Sequence, residues 1–98
     1  MRLIVITFAV IGLASCSTEL SPEGKSVRQI SLQTANACQF LGPVTGSESM
    51  GIDESMDTAS AYNKVRNTTA SMGGNAFVVS SSNTSIASTV VQADAYRC

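Results

Sequence analysis

Residues 3–13 form one apolar run, interrupted only by Thr7 and Gly12, with Arg2 before it and small residues after it. Eleven residues are too few to cross a bilayer, which takes about 20. A charge, an apolar stretch and small residues, in that order, predict a signal peptide over residues 1–15. Beyond it the pattern breaks into short segments. Residues 16–25 are mostly polar, contain Pro22 and Gly24, and read as a tether, leaving one domain over 26–98. Over 26–34, Val27, Ile30 and Leu32 nearly alternate with polar residues and predict a first strand. Ala35-Asn36-Ala37 reads as a turn. Residues 38–44 predict a second strand, with Gly42-Pro43 at a bulge or on an edge, because proline cannot donate to a ladder. Residues 45–54 read as a loop.

The period then changes. Ala61, Val65 and Met72 recur at helical spacing, with Thr68 and Thr69 between them and Ala59 and Tyr62 flanking, so a helix is predicted over 55–72. Asp53, Glu54 and Asp57 crowd its start and Lys64 and Arg66 lie further along, as the helix dipole favours. Ser55 or Asp57 is the candidate cap. Gly73-Gly74 is the stop signal. Residues 75–81 predict a third strand and 80–85 a polar connection. A fourth strand is predicted from residue 86 or 89 to 98, rich in β-branched Thr89, Val90 and Val91 and closing with Tyr96. The order β-β-α-β-β implies an α+β fold of two layers, one helix on a small, mostly antiparallel sheet.

Cys16 directly follows Leu13-Ala14-Ser15, which is similar to the lipobox of bacterial lipoproteins. That resemblance implies cleavage before Cys16, acylation of its thiol, and a lipid bilayer as the first partner. A lipobox cysteine carries more than one acyl chain, which makes anchoring stable where a single chain would be marginal. Ser17, where Asp would signal inner-membrane retention, implies the outer membrane and its periplasmic side. Three cysteines in an exported chain leave one over, and lipidation of Cys16 leaves Cys38 and Cys98 to pair. An oxidising periplasm favours that bond, and closing so long a loop is worth about 4 kcal/mol in the chain-entropy model. Two free thiols, or mixed disulfides with another protein, are the alternatives.

After residue 15 the chain carries five basic and seven acidic residues, the basic ones scattered. Nucleic-acid binding has no electrostatic footprint in that distribution. There is no histidine, which removes the commonest general base and metal ligand. Asp53, Glu54 and Asp57 lack the alternating spacing of a calcium loop and read as acids at a helix start. No serine sits in a nucleophile elbow. Gly73-Gly74 follows a helix instead of preceding one, so it presents carbonyls and does not suit a phosphate. No catalytic, cofactor-binding or metal-ligating residue is expected, and the chain is read as a non-enzyme.

Residues 38–46 (Cys-Gln-Phe-Leu-Gly-Pro-Val-Thr-Gly), then Asn63, Arg66, Asn67 and Ala70 running into Gly73-Gly74-Asn75, and a terminal Ala-Tyr-Arg-Cys are ordered landmarks. Together they resemble a family of small envelope lipoproteins known as a domain of unknown function (DUF4156), over residues 16–98. The passage from the helix through Gly73-Gly74-Asn75-Ala76 also resembles the outer-membrane sensor lipoprotein of the Rcs phosphorelay. That protein has more than one disulfide and a long proline-rich basic linker, features this chain lacks. The resemblance implies an outer-membrane lipoprotein with a binding, structural or stress-related role and an envelope-protein or cell-wall partner. The candidate contact surfaces are the loops expected at 45–55, with Met50 and Ile52, and at 80–88. The alternative is a redox-responsive envelope stress sensor using Cys38 and Cys98.

Overall fold

The computed structural model describes residues 18–49, 54–85 and 88–98. Its elements are a 3-10 turn (Gly24–Ser26), β1 (Arg28–Gln29), α1 (Leu32–Ala35), β2 (Gln39–Ser49), α2 (Glu54–Ser71), β3 (Ala76–Thr84) and β4 (Ser88–Arg97). The sheet order is β1-β3-β4-β2. β4 lies antiparallel between β3 and β2, and β1 adds a short parallel pair on β3. One long helix on a four-stranded, mostly antiparallel sheet is the α+β arrangement the sequence predicts.

α2 buries Ala61, Val65 and Thr69 completely, four residues apart as one helical face requires. They meet Val44 of β2, Phe77 of β3, and Val91, Ala93 and Ala95 of β4, which alternate inward along their strands. Among the described residues Phe77 is the one large ring fully buried, with Tyr62 at 6.4 Å between centroids. The Arg66 guanidinium lies 5.9 Å from the Phe77 ring centroid. Because most of this interface is Ala, Gly, Val and Thr, helix and sheet approach closely.

Gly73 ends α2 with φ of 87°, a left-handed conformation that glycine adopts without penalty. The Gly74 amide donates to the Thr69 carbonyl and that of Gly73 to Ala70, the paired bonds of a Schellman stop. Gly42 has φ of 150° where the β2–β4 register shifts, and β2 is an outer strand. The Gly42-Pro43 expectation of a bulge or an edge is thus met in both forms. Position 53, ahead of the first turn of α2, lies outside the described residues, and Asp57 is a buried residue inside the helix.

Four expectations need correction. The first strand, predicted over 26–34, is only Arg28–Gln29. Ser31 turns the chain by accepting the Thr34 amide and capping α1, so a local side-chain bond displaces the ladder. The loop predicted from residue 45 begins later, because Thr45 to Ser49 continue β2 in register with Gln92 to Ser88. The polar connection predicted over 80–85 is strand as far as Thr84; Ser81, Ser82 and Asn83 pair with Gln92, Val91 and Val90. β4 holds both polar stretches as ladders, overriding their weak intrinsic preference. The tether expected over 16–25 is, from Thr18 onward, docked against α2 through the contacts described below.

Candidate functional site

Ser60, Asn63 and Asn67 lie at spacings of three and four on α2 and so share one face, turned away from the sheet. All three hold the segment 18–26. The Thr18 amide donates to Ser60 Oγ at 3.1 Å, and Asn63 Nδ2 donates to the Thr18 carbonyl at 2.9 Å. Thr18 Oγ1 donates to Glu48 Oε1 at 2.9 Å. Asn67 uses both ends of its amide: Nδ2 donates to the Glu19 carbonyl at 2.9 Å, and Oδ1 accepts the Ser21 amide at 2.8 Å. Gly24 then passes so close that a Cβ there would overlap Asn67 Oδ1. The segment is a strap along α2, which therefore lies between sheet and strap.

The strap starts at one end of the sheet. Glu48 is the penultimate residue of β2, and Ser49 pairs with Ser88 at the start of β4. Lys64 donates to the Ser47 carbonyl at 2.7 Å and pairs with Glu48 at 3.4 Å. Ser47, Glu48, Ser49, Lys64, Ser88 and Val90 line an open cleft of about 380 Å³ there. Its lining is three serine hydroxyls, one carboxylate, one ammonium and one aliphatic side chain, Val90.

The opposite end carries the staple. Cys38 and Cys98 are bonded, with Cα atoms 4.5 Å apart, just before β2 and just after β4. Asn75 clamps the last residue in both directions, accepting the Cys98 amide at 2.8 Å and donating to its carbonyl at 2.9 Å. Arg97 donates to the Gly73 carbonyl at 2.6 Å. Phe40 and Tyr96 stack edge to face beside the bond, centroids 5.7 Å apart.

Cys16, Met50 and Ile52 lie outside the described residues. Thr45 to Ser49 and Ser80 to Thr84, expected as contact loops, are strand residues. Among the described residues no three of His, Cys, Asp and Glu gather as metal ligands. Nor is any helix there long and apolar enough to cross a membrane.

The sequence pattern of the DUF4156 domain of unknown function matches residues 18–98. The chain belongs to that family. Its match begins at Thr18, so the strap is part of the family's domain. A protein from Escherichia coli K12 and one from Shigella flexneri, both described as "Uncharacterized protein YjeI", are 34% identical to the chain over 107 aligned residues. Each alignment covers 95% of this chain and 92% of the relative. A solution NMR structure of the Salmonella typhimurium LT2 secreted protein STM0082 shares the fold with a TM-score of 0.56 at 17% identity. It covers 99% of this chain and 88% of its own. The landmarks that carried the resemblance acquire roles: Asn63 and Asn67 hold the strap, Arg66 lies over Phe77, and Gly73-Gly74 stops α2.

Sequence reasoning missed the strap. Its signal was the polar stripe Ser60, Asn63 and Asn67 at helical spacing, which a solvated helix face would share. Replacing Asn67 by alanine removes two bonds and leaves strap groups unsatisfied, a loss of about 1–3 kcal/mol. The Ser21 amide is expected to exchange with solvent roughly tenfold faster or more in Asn67→Ala, with α2 and β4 amides little changed. Unaltered protection at Ser21 would show that other contacts hold the strap.

Proposed function

We propose that the protein is a lipoprotein of the bacterial envelope, anchored through acylated Cys16 at the periplasmic face of the outer membrane. It acts without catalysis, by binding an envelope protein or cell-wall component or by a structural, stress-related role. The observation that carries this reading is Leu13-Ala14-Ser15-Cys16 behind a short apolar run, with Thr18, two residues later, already bonded to α2. Export also agrees with the disulfide, since such bonds persist in oxidising compartments. The structural neighbour is itself described as a secreted protein.

Mass spectrometry of the protein purified from membranes tests the anchor. A mature chain beginning at an acylated Cys16, gaining about two daltons on reduction of one disulfide, is the expected result. A mature chain without acyl groups overturns it.

A redox-responsive role is the second reading, and the exposure of Cys98 beside a half-buried Cys38 favours it. The two readings separate on reduction potential. A structural bond lies below about −300 mV, whereas a sensor bond lies near the potential of the periplasmic oxidant, about −120 mV.

A further inference from the structure

Only Ser17 separates Cys16 from Thr18. Two residues reach at most about 7 Å, so an acylated Cys16 stays within that distance of Thr18. Thr18 is bonded through its amide, its carbonyl and its hydroxyl, to Ser60, Asn63 and Glu48. A free coil over 17–25 would instead let the domain drift by roughly 16 Å and turn in any direction. The strap removes that freedom.

We propose that the domain stands on the bilayer in one orientation, its Ser49/Ser88 end against the phospholipid headgroups and its disulfide end facing away. The proposal rests on the acylation of Cys16 argued above and adds a partner surface and a direction to it. Three observations converge on this end. The strap begins there, over the penultimate residue of β2. Its cleft presents the Ser47, Ser49 and Ser88 hydroxyls, which hydrogen-bond to phosphate and glycerol oxygens, beside the Lys64–Glu48 ion pair. Its lining has one aliphatic side chain, Val90, so the end suits the headgroup layer and not the acyl region.

α2 begins at this end and Ser71 closes it at the other, roughly 25 Å away at 1.5 Å per residue. The Cys38–Cys98 bond, at the far end, is presented to the periplasm and out of reach of the headgroups.

The test uses the full lipidated protein in phosphatidylethanolamine–phosphatidylglycerol vesicles, with its disulfide intact. A fluorophore is attached at Ser49→Cys or at Ser71→Cys, both exposed, and an energy acceptor is carried on the headgroups. Acylation is read by mass on the same samples. An acylated protein is expected to show several-fold stronger transfer from position 49 than from 71. Adding Asn63→Ala and Asn67→Ala should release the strap and bring the two values together. Equal transfer, or the reverse order, on acylated protein overturns the orientation while leaving the anchor intact. A difference that survives strap release overturns the strap as its cause. A chain without acyl groups overturns the anchor, and the orientation with it.

Discussion

Removing the disulfide, by Cys38→Ser with Cys98→Ser, is expected to destabilise the domain by about 4 kcal/mol and lower its Tm by roughly 15–30 °C. The bond spans 60 positions, so most of its effect lies in the unfolded chain, which it denies many extended conformations. It also has a local role. β2 and β4 are adjacent, and the bond joins the residue before one to the residue after the other. Without it the last residue keeps only its Asn75 clamp and the ladder beside it is free to fray. The double substitution is the cleaner variant, because a single one leaves a thiol able to pair elsewhere. Thermal unfolding followed by circular dichroism, with and without reductant, checks the estimate. If reductant and the double variant both leave Tm within a few degrees of the wild type, the hydrophobic core alone holds the domain.

The elements that were legible share one property: their information is local. α2 could be read from Ala61 and Val65 and from Gly73-Gly74, and β4 from its β-branched run. The pairing of Cys38 with Cys98 came from counting cysteines. The strap was not legible because its bonds join residues 42 to 48 positions apart. Nothing in Thr18, Glu19 or Ser21 indicates that Asn63 and Asn67 will meet them. The ends of β2 and β3 failed for a related reason. Ser47, Ser81 and Asn83 are poor strand formers alone, and only pairing with β4 on either side makes them strand. At residues 31–34 the error was local: Ser31 and Thr34 carry the signature of a helix start, and it outweighs the near-alternation of Ile30 and Leu32. The strap matters most to the candidate site, because it holds a stretch that reads as a leash against α2.

Gly46→Val is expected to destabilise by about 3 kcal/mol, and Gly46→Ala by about 2, through steric overlap alone. Gly46 is buried in β2, where the strand passes under α2. A Cβ there would overlap the Ala61 carbonyl and come within 2.9 Å of Val65 Cγ2. The first of these is helix backbone, which cannot rotate away as a side chain can. Helix and sheet would have to separate, and Ala61, Val65 and Val91 would lose contact together. Gly73 is the control. It needs its positive φ, but nothing lies within 4 Å of a Cβ placed on it. Gly73→Ala therefore carries only the left-handed backbone penalty, about 1 kcal/mol. Comparing the three variants by chemical denaturation separates crowding from conformational strain. Should Gly46→Ala prove as mild as Gly73→Ala, the close approach of α2 to β2 would not be the contact that sets the spacing of the two layers.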